Sequence, residues 1–420
     1  MPDNKDRLPA ITEHPEELVY RSCYAPFDLR EYLHSAETRA LIRRLPATQV
    51  FYSLKDLDPE EMSLLLLHIT EEQWATFLDL DLWDKDEVNT NALLHWESFT
   101  SETDDPVAKK LLRGTDPELL QLLFRKELQV IPRTEEDEFE EEPPEDRNTF
   151  ITPDNYYLVV LPEDPEKSRL IYTFIRHLYH LDVEYAQLCL ENSRYETSIG
   201  LEEKAYQNRC RRTEDLGFQD YFEALDIYSP RSPESELPER DDFKEKDPDD
   251  LPVPASGLRD SNSIFVEALA ILSTQEEIQD LLQELFLVCN KVISADRLNP
   301  GDPDNIQTGI SKTMSGINLG LDIWSKGDLG RAMEGLLRNF LVSFFQIGSG
   351  ALDRVRKAAH EAVSQQPGSY GEAVLKGLRE PYPLYTESEK KDGKIIFSTR
   401  YFRTGAEIEE VLSLLETLKG

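Results

Sequence analysis

Two histidines and a glutamate are spaced so that they could bind a metal ion. His177, His180 and Glu184 stand three and four residues apart, a spacing that places side chains on one face of a helix. Two imidazoles and a carboxylate are acceptable ligands for Zn²⁺ and related divalent ions. The segment lacks the HExxH pattern and a fourth ligand. The pattern therefore predicts either a divalent-metal site or a histidine pair packed beside tyrosines with ordinary hydrogen bonds.

Three arginines, Arg209, Arg211 and Arg212, form the densest positive patch of the sequence. Guanidinium groups bind carboxylates and phosphates through paired N–H donors, so this patch is a candidate site for an anion or for an acidic partner segment. The alternative is pairing within the chain, helped by the C-terminus of the same helix. The acidic residues available nearby are Glu202, Glu203, Glu214 and Asp215.

Four aspartates lie close together at Asp79, Asp81, Asp84 and Asp86. They do not follow the EF-hand template, because Asp84 stands where that loop needs glycine and Thr90 stands where it needs glutamate. Either they associate with a hydrated Mg²⁺ ion, or they cap the ends of helices. We expect helix caps.

No catalytic motif is recognisable. Residues 309–313 superficially look like a phosphate-binding loop, but Ser311 replaces the glycine required before Lys312 and no apolar strand precedes it. Nucleophile-elbow, zinc-protease and dinucleotide-binding patterns are absent. The four cysteines form no CxxC pair. We therefore predict no cofactor, and the sequence favours a protein without catalytic activity. These cysteines are Cys23, Cys189, Cys210 and Cys289.

The charge of the chain restricts its partners. Acidic residues number 82 and basic residues 46, giving a formal net charge of −36. This field repels nucleic acid and anionic membrane surfaces. The longest apolar runs, at 64–67 and 340–345, are much shorter than the roughly 20 residues of a membrane span, and no signal peptide follows Met1. We predict a cytoplasmic protein that neither binds nucleic acid nor inserts into membranes.

Composition divides the chain into five parts. Residues 134–146 contain nine acidic residues, and residues 229–256 contain six prolines and nine acidic residues, both typical of solvated linkers. The expected parts are an N-terminal helical array (1–133), an acidic linker (134–148), a middle α+β unit (149–228), a proline-rich acidic linker (229–258) and a C-terminal helical domain (259–420).

Local signals place the elements. Asp58, Thr70 and Asp84 each precede a residue pattern typical of a capped helix start. Residues 150–161 predict a β-hairpin, and residues 394–402 predict a strand. Gly316 and Gly320 have the spacing that lets two helices approach closely. We expect a mainly α fold: an array of short helices with a small β-hairpin in the middle region and a short strand near the C-terminus.

Two runs carry a family resemblance: FLDLDLWDKD at 77–86, and RRTEDLGFQDY at 211–221 with its continuation at 223–228. Through them the chain resembles an uncharacterised bacterial family, domain of unknown function 6178, which implies a relationship and no chemistry. Residues 40–130 also resemble the N-terminal helical repeats of MgtE-type magnesium transporters, without the pore of those transporters.

The function that we expect from these features is that of a cytoplasmic protein-binding or scaffolding protein. Stacked short helices provide extended surfaces for partners, and acidic linkers suit electrostatic docking. The alternative is a metal-dependent enzyme or a divalent-metal sensor that uses the histidine pair or the aspartates. The identity of the protein partner and the oligomeric state do not follow from the sequence.

Overall fold

The computed structural model describes residues 29–31, 38–101, 103–134, 139–144, 146–240, 263–272, 275–362, 370–391 and 394–419. The described residues fall into two compact units. The N-terminal unit lies between residues 24 and 215 and includes 299–303, and the C-terminal unit lies within 216–298 and 304–420. The five-part division expected from composition stays a prediction.

The N-terminal unit is built mostly from short helices, which confirms the predicted class. Its α-helices are α1 (Thr38–Arg44), α2 (Ala47–Leu54), α3 (Pro59–Leu66), α4 (Glu71–Asp81), α5 (Thr90–Thr100), α6 (Asp105–Gly114), α7 (Pro117–Glu127), α8 (Pro165–Leu181), α9 (Val183–Tyr195) and α10 (Ser198–Thr213).

Two of the three predicted helix starts are present. Asp58 caps α3 and Thr70 caps α4, each through a complete capping box that satisfies the free backbone N–H groups of the first turn. The start predicted at Asp84 is wrong. That segment forms a tight turn between the two-residue strands β1 (Trp83–Asp84) and β2 (Glu87–Val88). Lys85 has a φ of 61° there, a left-handed conformation that a helix start does not use.

The predicted middle hairpin is confirmed and belongs to a three-stranded antiparallel sheet. Strand β5 (Tyr157–Val160) pairs with both β4 (Thr149–Ile151) and β3 (Gln129–Pro132). All four residues of β5, which is the central strand, are buried. Strand β3 was not expected from the sequence. Phe139 packs against the small apolar cluster on this sheet.

Aromatic side chains form the centre of the helical part of the N-terminal unit. The rings of Phe51 and Phe77 lie 5.7 Å apart, and those of Trp74 and Trp96 meet edge to face at 5.5 Å. All four are buried, so α2, α4 and α5 share one core. Burying such large side chains contributes roughly 2–3 kcal/mol for each.

The C-terminal unit has longer helices. They are α11 (Tyr221–Ala224), α12 (Ile264–Ile271), α13 (Gln275–Ala295), α14 (Pro303–Ser325), α15 (Leu329–Arg338), α16 (Leu341–Glu361), α17 (Tyr370–Leu378) and α18 (Gly405–Lys419), with a 3₁₀ helix at Leu225–Tyr228.

Glycines let α14 and α16 cross in backbone contact. A Cβ atom at Gly320 would overlap the carbonyl oxygen of Phe344, and one at Gly348 would overlap that of Gly316. The sequence spacing of Gly316 and Gly320 predicted a close approach of helices, and the crossing of α14 with α16 is that approach.

A two-stranded hairpin precedes the last helix. Strand β7 (Lys394–Arg400) covers most of the predicted C-terminal strand and pairs antiparallel with β6 (Tyr385–Lys391), from Tyr385 opposite Arg400 to Lys391 opposite Lys394. Strand β6 was not expected from the sequence. Next to the hairpin, α16, α17 and α18 enclose a core that includes Phe402, Leu375 and Val355.

Candidate functional site

The predicted metal-binding triad does not share one helix face. Helix α8 ends at Leu181, and Asp182 caps the separate helix α9 that carries Glu184. The His180 Nε2 atom instead lies 3.1 Å from Asp105 Oδ2 at the start of α6. Within the described residues, no group of three or more His, Cys, Asp or Glu side chains is placed to hold a metal ion.

His177 lies one helical turn before His180, with ring centroids 6.3 Å apart. Its Nε2 atom is buried and has no hydrogen-bond partner among the described residues. Burial lowers the pKa of His177, and the charge of His180 acts in the same direction while Asp105 opposes it. The neutral imidazole is therefore the favoured form. Metal binding by His177, His180 and Glu184 stays a prediction.

Arg212 is bonded to distant carboxylates rather than to the acidic residues near it in sequence. Its guanidinium donates two hydrogen bonds to Asp79, both of 2.7 Å, and two to Asp116, of 2.9 and 2.7 Å. Asp79 is only 2% exposed. Burial raises the pKa of Asp79, and the hydrogen bonds from Arg212 oppose that rise. The contact joins α10 to α4 and to the start of α7.

The other two arginines differ in their surroundings. Arg209 donates from Nε to the backbone oxygen of Asp79 at 2.8 Å, and its guanidinium lies 5.2 Å from the ring centre of Trp83. Arg211 is exposed. The three guanidinium groups therefore differ in environment, since Arg212 is engaged by two carboxylates and Arg211 is exposed. Binding of an external anion by Arg209, Arg211 and Arg212 stays a prediction.

The four aspartates also separate. Asp79 meets Arg212, whereas Asp81 accepts hydrogen bonds from Lys55 Nζ at 2.6 Å and Trp96 Nε1 at 2.7 Å. Asp84 and Asp86 are exposed in the β1–β2 turn. None of the four serves as the side-chain cap of a described helix, so the expected role as helix caps is wrong for them.

A polar cluster that the sequence did not reveal lies in the C-terminal unit. Lys312, on α14, is 8% exposed and donates to Asp296 Oδ2 at 2.6 Å. The other oxygen of Asp296 accepts from the Tyr228 hydroxyl at 2.7 Å. The ammonium lies 4.8 Å from the ring centre of Tyr228 and 4.5 Å from that of Tyr382. Tyr401 packs edge to face on Tyr382.

Lys312, Asp296 and the three tyrosines form what we call the tyrosine–lysine cluster. Burial lowers the pKa of Lys312 and raises that of Tyr382. A lysine of lowered pKa can serve as a base or nucleophile. Here the ion pair and the two aromatic faces stabilise the ammonium form, so the cluster joins separate segments of the C-terminal unit. The Tyr382 hydroxyl has no hydrogen-bond partner among the described residues.

Sequence reasoning considered Lys312 only within a rejected phosphate-loop pattern. The available signal was its position on a helix, because Lys312 is three residues after Gly309 and four before Gly316, both on the packed side of α14. A lysine on the core-facing side of a helix needs a buried partner. That partner, Asp296, lies outside α14.

The N-terminal unit exposes several large apolar side chains around α9. Ile199 is 81% exposed, Tyr195 is 72% exposed, and Leu188 and Tyr156 are also exposed. Leu188 and Tyr195 are seven residues apart on one side of α9, and Ile199 follows at the start of α10. We call these four residues the α9 surface.

The β4–β5 turn is attached to α9, which brings Tyr156 into this neighbourhood. Gln187 Nε2 donates to Asp154 Oδ2 at 2.8 Å, and the hydroxyl of Tyr157 donates to Glu191 Oε2 at 2.6 Å. Glu191 lies between Leu188 and Tyr195 in sequence, so these contacts attach the turn that carries Tyr156 to the same helix. The result is a group of exposed apolar side chains carried by three elements.

Comparison with known proteins now identifies a family. A family model described as "Family of unknown function (DUF6178)" matches residues 28–420. The chain belongs to DUF6178. The resemblance noted from residues 77–86 and 211–228 is thereby confirmed. No curated protein and no solved structure matches the chain.

Membership in DUF6178 supplies no activity for any residue of the sites described above. Among the helices of the described residues, none has both the length and the apolar composition needed to cross a bilayer. The likeness of residues 40–130 to MgtE-type repeats stays a prediction.

Proposed function

We propose that this protein is a non-catalytic, cytoplasmic protein-binding protein, and that the α9 surface is where its partner docks. The observation that carries this proposal is the grouping of Tyr156, Leu188, Tyr195 and Ile199, all exposed, on adjoining elements. Soluble proteins rarely expose large contiguous apolar patches to solvent unless a partner covers them. Tyrosine is also enriched among the residues that contribute most to interfaces.

The surrounding charges indicate the chemistry of the partner. Arg194, beside Tyr195, already pairs with Glu191 and Glu140, and Lys204 pairs with Glu196. The additional exposed Glu184 leaves the rim acidic. A partner that offers apolar side chains within a basic rim would therefore be steered to this surface. Cys189, which is buried as a free thiol on α9, supports a reducing compartment.

Photo-crosslinking at single positions tests the proposal. A photoreactive phenylalanine analogue at Leu188, in cells that naturally make the protein, is expected to give one adduct with another protein. The paired changes Tyr195→Asp and Ile199→Asp should abolish that adduct, because they place charge in an apolar contact.

The matched control carries the same photoreactive residue at Glu334, an exposed position on α15 of the other unit. Equal labelling from both positions, or labelling that survives the aspartate changes, would contradict docking at the α9 surface. An adduct of twice the chain mass would show that the surface binds a second copy instead of a different protein.

The divalent-metal alternative has its own test. Metal analysis of the purified protein, repeated after His177→Ala and His180→Ala, measures whether a metal is bound in stoichiometric amount and lost with either imidazole. Such a loss would favour a metal sensor over the protein-binding role, whereas a metal-free wild-type protein would end this alternative.

A further inference from the structure

The β6–β7 hairpin has a fixed base and an exposed outer half. At the base, Arg400 donates to Glu387 at 2.5 Å and to Glu407 of α18 at 2.7 Å. Thr386 is buried there, and midway along the hairpin the Phe397 ring lies 5.8 Å from the Tyr370 ring of α17. The hairpin is therefore attached to both neighbouring helices.

The outer half of β7 presents apolar side chains to solvent. Ile395 is 64% exposed and Ile396 is 48% exposed. Because successive residues of a strand point to opposite faces, both faces of the hairpin carry an exposed isoleucine. Phe397 is also partly exposed.

The outer edge of β7 has no strand partner among the described residues, since the sheet contains β6 and β7 only. Free edges are usually protected by charged residues or proline. Strand β6 has such residues in Glu387, Glu389, Lys390 and Lys391. The five residues from Ile395 to Thr399 contain neither a charge nor a proline, so the edge of β7 is unprotected.

Charge argues for a second copy of the chain as the occupant of this edge. Two molecules of net charge −36 repel each other over most of their surfaces. The hairpin is different: residues 385–400 contain four basic and three acidic residues. Close contact between copies is thus less opposed there than the net charge of the whole chain would suggest.

The two ends of the hairpin are also complementary to each other. Residues 389–394, at its far end, contain three lysines and two acidic residues, Glu389 and Asp392. Its base is acidic, because Glu387 and Glu407 surround Arg400 and Glu410 accepts a hydrogen bond from Tyr385. A two-fold antiparallel arrangement places the basic end of each hairpin against the acidic base of the other.

We propose that β7 pairs antiparallel with β7 of a second copy, so that two hairpins form a continuous four-stranded sheet. The pairing satisfies the free backbone groups of both edges and covers Ile395 and Ile396 in both molecules. A standard interface buries roughly 1,200–2,000 Å², and one pair of seven-residue strands is smaller. The dimer therefore dissociates on dilution. This inference does not depend on the α9 surface.

Sedimentation velocity of the full chain over a hundredfold concentration range tests the proposal. The wild-type protein is expected to shift from monomer to dimer as concentration rises. Ile396→Lys replaces an apolar cross-strand contact on one face of the joined sheet with a charge and should weaken the dimer at least tenfold. Ile395→Lys, on the opposite face, should have the same effect.

The control is Ser388→Lys, which adds the same charge to an exposed position of β6. It should leave the dimer unchanged, because β6 lies on the other edge. Circular dichroism verifies that each variant is folded. A wild-type chain that stays monomeric over the whole concentration range overturns the proposal. The edge of β7 would then be occupied by a different protein, by another segment of the chain or by nothing. A dimer that survives Ile396→Lys and Ile395→Lys overturns it as well, since another surface would then be responsible.

Discussion

The Glu97 carboxyl group is fully buried between α5 and the end of α6. Its Oε1 atom accepts a hydrogen bond from Thr115, whose hydroxyl also accepts one from Trp74 Nε1. The Oε2 atom has no partner among the described residues. Burial raises the pKa of Glu97 to about 7, so the folded chain keeps this proton in a pH range where the unfolded chain releases it.

Glu97 should therefore make stability depend on pH. Between an unfolded pKa near 4.5 and a folded pKa of about 7, the free energy of unfolding falls as pH rises, because the folded state binds more protons. Glu97→Gln mimics the protonated form and should remove this dependence. Urea unfolding is expected to give the wild type and Glu97→Gln equal free energies of unfolding at about pH 4.5. At about pH 8 the variant should be more stable than the wild type by on the order of 3 kcal/mol. The exposed change Glu203→Gln should show no such crossover.

Arg212 and Arg211 offer a matched pair of tests for the Asp79 contact. Arg212→Ala leaves the buried Asp79 carboxylate without its guanidinium and should lower the free energy of unfolding by about 3 kcal/mol. Arg211→Ala, at an exposed neighbour, should change it by less than about 0.5 kcal/mol. Urea titration of both variants at neutral pH measures the difference. Equal effects would mean that the Asp79 contact adds little to stability.

At the scale of single residues, the sequence indicates which charged side chains need a partner, but it does not indicate which residue that partner is. Arg212 binds carboxylates within the chain, and these belong to Asp79 and Asp116, which are far from it in sequence. The intrachain partners considered for it, such as Glu214, are its neighbours in sequence, because a sequence reveals local neighbours only. Lys312 was missed for the same reason: Asp296 becomes its partner only after α13 and α14 pack.

The crossing of α14 and α16 depends on the absence of side chains at the contact. Gly320→Ala should lower the free energy of unfolding of the C-terminal unit by about 3 kcal/mol, because its methyl group would force the helices apart. Gly330→Ala on α15 is the control: its methyl group would lie 3.4 Å from Asp328 Oδ1. The control should be neutral or stabilising by less than about 1 kcal/mol. Thermal unfolding of both variants checks this, and a tolerated alanine at 320 would contradict the close crossing.

Elements whose signals are local were the ones predicted well. Asp58 and Thr70 carry complete capping boxes within four residues. Asp84 was misjudged because acidic residues near Lys85 suit a tight turn as well as a helix start. Strand β6 was not predicted because its polar sequence lacks apolar alternation. Its pairing with β7 stabilises the strand conformation that its own residues do not favour.

The net charge of the whole molecule should make stability increase with salt. At about 0.01 M ionic strength the Debye length is roughly 30 Å, and at about 0.15 M it is roughly 8 Å. Screening of 36 excess negative charges relieves repulsion within the folded state. Raising NaCl across this range should increase Tm by roughly 2–4 °C, about 1 kcal/mol for units of this size.

Magnesium chloride at the same ionic strength provides the control for this salt effect. An equal Tm with both salts supports screening, whereas a larger rise with magnesium indicates specific binding of the divalent ion. A Tm that falls with NaCl would mean that internal ion pairs such as Arg212 with Asp79 outweigh repulsion. The sequence predicted the helical class at this scale through its helix-start patterns, and its apolar content is sufficient for cores. It could not reveal that residues 299–303 belong with the N-terminal unit, since that depends on long-range packing.

The packing of Tyr228, Tyr382 and Tyr401 around Lys312 has an optical consequence. Burial raises the pKa of all three phenols, so they stay un-ionised in alkali that converts ordinary tyrosines to phenolates. Their ultraviolet difference absorbance should then appear in a late, separate step, when solvent reaches the cluster. Tyr382→Phe should reduce the amplitude of that step. These phenols would then be an intrinsic spectroscopic probe for the opening of the C-terminal unit.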